Sequence, residues 1–185
     1  MNIFVLHRNP TFAANYHCDA HVVKMIVECG QLMSTAHHYL DGKRAPHRVE
    51  ELLRPTHVSH PCAVWVRGCL WQYQWTHALM GGLLHNYTAR YGRLHAYEGL
   101  WEALRRTPAN IPMYHESGLS LTVPPQCMPG PYRLDIKALD DWDTTVEAYR
   151  NYYFFEKRGF ANWTFPGREP EWFKERTHKY AREEP

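Results

Sequence analysis

The chain has 185 residues, 44% of them hydrophobic and 22% charged, which suits one compact domain with a full core and leaves too little length for two. Twenty-one Lys and Arg against 19 Asp and Glu leave a net charge of +2, which excludes a surface built throughout to hold a polyanion and leaves room for a local basic patch. No apolar run reaches the roughly 18 residues of a membrane span and the opening MNIFVLHRNP lacks a signal-peptide pattern, so a cytoplasmic protein without membrane contact is expected.

Residues 2–7, NIFVLH, form a short apolar run expected to be extended. Asn9-Pro10-Thr11 starts a helix, with Asn9 or Thr11 as its cap, and no proline interrupts a helix-compatible pattern from Phe12 to about Tyr39. One long first helix is predicted, ending at Asp41-Gly42. Residues 41–58, with Pro46 and Pro55, predict a surface loop holding a short helix at 48–53. Ser59-His60-Pro61 opens a second helical stretch from Cys62 to about Arg106, expected to bend at Gly81-Gly82 or Gly92 and so to make two or three helices. Six prolines and two glycines over 107–134 predict an irregular excursion across the surface. Asp143-Thr144-Thr145 opens a last helix ending near Gly159, followed by an aromatic and basic tail. The predicted fold is all-α: a compact single-domain helical bundle, 1–185, with a long first helix and an irregular Pro-rich excursion.

Five cysteines, Cys18, Cys29, Cys62, Cys69 and Cys127, are odd in number, widely spaced and without a C-x-x-C pair. They read as reduced and mostly buried thiols, with no metal or other cofactor expected. The chain is nevertheless rich in His (13), Tyr (12) and Trp (7), groups that titrate near neutrality, bind metals and stack on flat ligands.

Part of that richness falls on the first helix. Positions 17, 21, 24, 28, 31, 35 and 38, alternating four and three apart, share one helix face, and all are polar: His17, His21, Lys24, Glu28, Gln31, Thr35 and His38. Apolar rows flank them on both sides. Such a narrow polar seam points to a cleft, although a solvated face with an i, i+4 Lys24–Glu28 pair fits the same spacing. Three chemistries are open. His17 and His21 can supply half a metal site if His60 or His77 completes it, whereas Glu28 lies roughly 16 Å from His17 along a helix and cannot share that ion. Glu28, the only acid in the seam, suits general acid-base work or stabilisation of a developing cation. Lys24 suits a Schiff-base amine or a partner for Glu28.

The segment His21 to Gln31, HVVKMIVECGQ, resembles the first-helix signature of the pyrimidine dimer DNA glycosylase superfamily, the phage endonuclease V-like proteins. That signature is a His, a catalytic Glu seven residues later and a polar or basic residue three further on, matched here by His21, Glu28 and Gln31. HPCAVWVR, His60 to Arg67, is similar to an N-H-P-x-x-x-W element of bacterial relatives. PEWFK, Pro170 to Lys174, resembles a Pro-x-Trp-aromatic-Lys segment near the C-terminus of the phage enzymes. The opening MNIF and the run HCD-x-HVVKM are also similar to a group of phage-type proteins from which no activity carries over.

The resemblance implies a small all-helical enzyme, without cofactor, that binds duplex DNA and displaces a base. It then attacks the sugar C1′ with the N-terminal amine to form an imine. Glu28 would stabilise the cationic sugar and move protons. The match departs in two places. The phage enzymes expose the amine of a small second residue after losing the initiator Met, whereas bulky Asn2 hinders that loss here, so Met1's own amine or a hydrolytic step takes its place. Val27 and Gln31 stand where arginines would help to hold phosphates, so a weaker grip on duplex DNA or a smaller substrate is expected.

Other candidates for substrate contact are Arg67 as a phosphate or carboxylate ligand, Trp71 as a stacking platform, Arg150 facing the seam together with Tyr153, and Arg168 and Trp172 in the tail. Arg90, Arg93, Arg105 and Arg106 form the densest basic run. Each of these also fits a packed or solvated structural role. The expected partner is duplex or modified DNA, or a nucleotide. The expected activity is DNA repair or DNA-base processing of the glycosylase/lyase kind. The alternatives are an enzyme on a nucleotide or modified pyrimidine without strand cleavage, and a non-catalytic DNA- or protein-binding module.

Overall fold

The apolar run at the start of the chain is extended and sits at the centre of the molecule: Ile3, Val5 and Leu6 are wholly buried, wrapped by helices and not paired with a strand. The computed structural model describes residues 1–42, 51–165 and 169–181, and over these it is all-helical, with seven α-helices and no strand.

Asn9 caps α1 (Pro10–Tyr16) by accepting from the main-chain N–H of Thr11 and Phe12, with Pro10 in the first turn. The single long first helix is corrected by the structure. The chain breaks at His17 and Cys18, both extended, before α2 (Asp19–Leu40). The break is made by partners distant in sequence. Tyr153 Oη accepts from Cys18 N at 2.8 Å, Asn162 O accepts from Asp19 N at 2.8 Å, and Arg90 Nη1 donates to His17 O at 2.9 Å. With its backbone groups satisfied in this way, the kink needs neither proline nor glycine. Asp41 closes α2 and its carboxylate accepts from the N–H groups of Ala109 and Asn110, tying the start of the Pro-rich excursion to the helix end.

The second helical stretch divides into α3 (Pro61–Val66), capped by His60 Nδ1, α4 (Leu70–Tyr91) and α5 (Glu98–Leu104). Helix α4 is the spine. Its buried residues spread over a broad arc because α1 and α2 both pack on it. Helix α4 runs through Gly81-Gly82 without interruption. These glycines let neighbours close in: an added Cβ at Gly82 would meet Ala14 at 2.7 Å, and one at Gly81 would meet the Trp101 ring at 2.9 Å. The chain turns at Gly92 instead, in the left-handed conformation (φ 67°) that favours glycine.

Residues 107–134 are irregular apart from one 3-10 turn at Gly130–Tyr132, as their prolines require. Helix α6 (Trp142–Lys157) starts under an Asp141 cap. The tail adds an unforeseen α7 (Glu171–Ala181), whose Trp172 and Phe173 are buried against the bundle. Of the short helix expected at 48–53, residues 43–50 lie outside the described residues and 51–53 are not helical.

Candidate functional site

The polar seam of α2 is divided by the structure into three parts with different surroundings. Its lower end holds a loop: Thr35 Oγ1 donates to Thr56 O and accepts from Thr56 N, and His38 Nε2 pairs with Leu53 O at 3.0 Å. Its upper end lies in the core. His17 donates through Nδ1 to Ala13 O at 2.7 Å, a bond in which the carbonyl can only accept, and its Nε2 is buried without a partner among the described residues. His21 stacks on Phe4 at 4.7 Å between ring centroids and meets Tyr153 and Phe160 edge-on. Burial, partly offset by the Ala13 bond, lowers the His17 pKa to about 4. Burial, helped by the charges of His17, Lys157 and Lys24, lowers that of His21 to about 3. Both rings are neutral at neutral pH, and neither belongs to a metal-ligand cluster among the described residues.

The middle of the seam is where polar groups converge. Glu28 Oε2 accepts from the main-chain N–H of Asn2 at 2.6 Å, and Glu28 Oε1 lies 3.5 Å from Lys24 Nζ. The Lys24 side chain is 63% exposed and that of Glu28 only 12%, so the carboxylate is largely shielded from solvent. Gln31 is half-buried one turn further on. Asn2 is held firmly: its Nδ2 donates to Cys127 O at 2.9 Å, its Oδ1 accepts from Ile3 N, and the Tyr149 hydroxyl lies 3.0 Å from the same oxygen. Met1, half-buried beside it, packs against the core cluster. The structure therefore gathers Met1, Asn2, Lys24 and Glu28, and leaves His21 a helical turn or more away in an aromatic box.

The remaining candidates are dispersed. Arg67 donates to Val58 O at 2.7 Å and lies over the Tyr39 ring at 4.0 Å. Trp71 is exposed, while Trp75 is core. Arg150 donates to Leu6 O and sits over Trp172 and Tyr16, and with Tyr153 it faces the α1–α2 junction and not the middle of the seam. Trp172 is buried and Arg168 lies outside the described residues. Arg90 is not a surface cation: it is buried in an ion pair with Asp19 at 2.9 Å, leaving Arg93, Arg105 and Arg106 exposed from that run.

One cluster escaped the sequence reading. His60, Cys62 and Cys127 converge next to Asn2, with Cys62 Sγ 3.5 Å from Cys127 Sγ and 3.9 Å from Asn2 Oδ1. Hydrogen bonding from Cys62 lowers the Cys127 pKa and the same bond raises that of Cys62, so Cys127 is the thiol that ionises first. Burial lowers the His60 pKa. The only sequence signal was His60 and Cys62 two apart at a helix start.

Beyond this cluster a groove of about 1210 Å³ runs between α3, the start of α4 and the Pro-rich excursion, lined by Trp65, Gln72, Thr122, Pro125, Leu134 and Thr145. It shares a wall with the Glu28 centre, since the Tyr149 hydroxyl, which donates to Pro125 O at 2.6 Å, also lies 3.0 Å from Asn2 Oδ1. The chain matches no protein-family model, and no curated protein or solved structure is significantly similar to it.

Proposed function

We propose that the protein is a DNA-base-processing enzyme of the glycosylase/lyase kind, acting on a damaged or modified base, with Glu28 as its proton-transfer and cation-stabilising group. The amine of Met1 is the nucleophile. The observation that carries this reading is the 2.6 Å hydrogen bond from Asn2 N to Glu28 Oε2, which places the main chain of residues 1–2 against the one acidic group of the seam.

A carboxylate in that position accepts a proton from an attacking amine and faces the positive charge that grows at the sugar C1′. The amine nitrogen bonds to C1′ as the bond from C1′ to the base breaks, and the base leaves with the electron pair. Ring opening then gives the imine, with a proton passing to the ring oxygen. Lys24 is a second amine beside the same carboxylate. Exposed Arg93, Arg105 and Arg106 offer phosphate contacts, and the groove has room for a displaced base.

The test is incubation with duplexes carrying ultraviolet-damaged or modified pyrimidines in the presence of borohydride, followed by mass mapping of any adduct. A covalent adduct on the Met1 amine supports the reading. An adduct on Lys24 moves the nucleophile there. Base release without an adduct favours the alternative enzyme that leaves the strand intact, and binding without chemistry favours a non-catalytic module.

A further inference from the structure

Cys62 and Cys127 come from segments 65 residues apart, yet their sulfurs lie 3.5 Å from one another and are not bonded. With a ring nitrogen of His60 they form the one group of three or more His, Cys, Asp or Glu side chains with metal-ligand spacing among the described residues, one ligand atom of each within 4.8 Å of the others. Two thiolates on a tetrahedral zinc ion, with Zn–S near 2.3 Å, have sulfurs about 3.8 Å apart. The present separation needs only a few tenths of an ångström of widening. A disulfide would instead need the sulfurs to close to about 2.05 Å. That closure is resisted on the Cys127 side, where the chain follows Pro124-Pro125 and is held through Cys127 O by Asn2 and through Cys127 N by the Tyr149 hydroxyl.

The His60 ring spends its Nδ1 on a 3.2 Å bond from Cys62 N, long enough to be exchanged for an ion as the ring turns. One imidazole and two thiolates without a carboxylate make a borderline-soft donor set, which suits zinc-class ions and not magnesium or calcium. Pro61 between His60 and Cys62 fixes the spacing at the start of α3. Cys62 is buried while His60 and Cys127 are partly exposed, so an ion can enter and a fourth position can take water.

We propose that His60, Cys62 and Cys127 form a binding site for one zinc-class divalent cation, with three protein ligands and a fourth position open towards Asn2. Occupation would clamp the Pro-rich excursion to α3 beside the Glu28 centre. The inference stands apart from the DNA-processing reading, because it is measured on the protein alone.

The experiment uses the full chain, reduced and stripped with a chelator, titrated with zinc against a chromophoric competitor and with cobalt(II) by absorption. One equivalent is expected to bind, with the cobalt form showing tetrahedral ligand-field bands and thiolate-to-cobalt charge transfer. Cys127→Ser should weaken binding by at least ~100-fold and His60→Gln by ~10-fold or more, while Cys69→Ser, at a buried thiol elsewhere, leaves it unchanged. Circular dichroism checks that Cys127→Ser is folded, and His60→Gln, at a partly exposed position, carries the same test if it is not. The proposal is overturned if the reduced protein binds neither ion, if Cys127→Ser and His60→Gln bind as the parent does, or if the two thiols form a disulfide in air and no metal competes with it.

Discussion

Asn2 and Glu28, 26 positions apart, meet through a single short hydrogen bond, with the backbone of one as donor and the side chain of the other as acceptor. The bond fixes where the extended first segment enters the bundle. Asn2 in turn bonds to Cys127 O and lies against the Tyr149 hydroxyl, so three distant stretches of chain meet at Asn2.

Replacing Glu28 with Gln separates that structural role from the chemical one proposed for it. The amide oxygen of Gln can still accept from Asn2 N, so stability should change by no more than about 1 kcal/mol. Under the proposed function, processing of a damaged duplex should fall by about 10²- to 10⁴-fold, as expected when a proton-transfer group is lost. Single-turnover rates set beside urea midpoints check both; an unaltered rate means that Glu28 only anchors Asn2.

The two core histidines predict acid sensitivity. Their folded-state pKa values are lowered from 6.5 to about 4 for His17 and about 3 for His21. Between those values and pH 6.5 the unfolded chain binds more protons than the folded one. Stability is therefore complete above about pH 6.5, declines on acidification and levels off below about pH 3, each histidine contributing at most about 1.4 kcal/mol per pH unit. His21→Phe keeps the stacking on Phe4 and removes a buried nitrogen that has no partner among the described residues. It should leave stability at pH 7 equal or higher and make the decline from pH 6 to 4 shallower, which denaturant melts at the two pH values would show; an unchanged slope would refute the burial argument.

Gly82→Ala tests the close approach of α1 to α4. Its new methyl would lie 2.7 Å from the Ala14 side chain, a fixed methyl on a packed helix with no rotamer to yield. Overpacking of this kind should destabilise the protein by about 1–3 kcal/mol. Gly99→Ala, where an added Cβ meets nothing within 4 Å, serves as the comparison and should be neutral or slightly stabilising in its helix.

Arg90→Met should be the most damaging of these substitutions. The arginine side chain is almost wholly buried and bonds to Asp19 Oδ1, His17 O and Asn86 Oδ1. Removing it leaves a partly buried carboxylate and a carbonyl unmatched, a loss of about 3–5 kcal/mol. Chemical denaturation measures it, and a loss below 1 kcal/mol would mean that water or other side chains replace the guanidinium.

What the sequence disclosed was local. Asn9, His60 and Gly92 mark helix ends because capping acts over two or three residues, and the prolines of 107–134 forbid regular structure wherever they sit. The helical spacing of the seam likewise placed Lys24 and Glu28 together. The His17–Cys18 break was hidden because its hydrogen bonds come from Tyr153, Asn162 and Arg90. The fate of His21 was hidden for the same reason: a histidine on a polar face and a histidine boxed in by Phe4, Tyr153 and Phe160 have the same spacing along the helix. The Cys62–Cys127 pair could not be found by looking for closely spaced cysteines, since tertiary folding alone brings the two together.

Asp19 carries a further implication for motion. Its Oδ1 faces Arg90 on α4, while its Oδ2 accepts from both the main chain and the hydroxyl of Thr164, at 2.8 and 2.6 Å. The Asp19 carboxylate, in the first turn of α2, is thus shared by α4 and by the stretch ahead of α7, and that stretch also accepts from Asp19 N through Asn162 O, so the first turn of α2 and the stretch ahead of α7 are coupled. Amide protons on the two segments should exchange with solvent at a common rate, as one cooperative unit, so that loosening the tail would be felt at the base of the helix that bears Glu28.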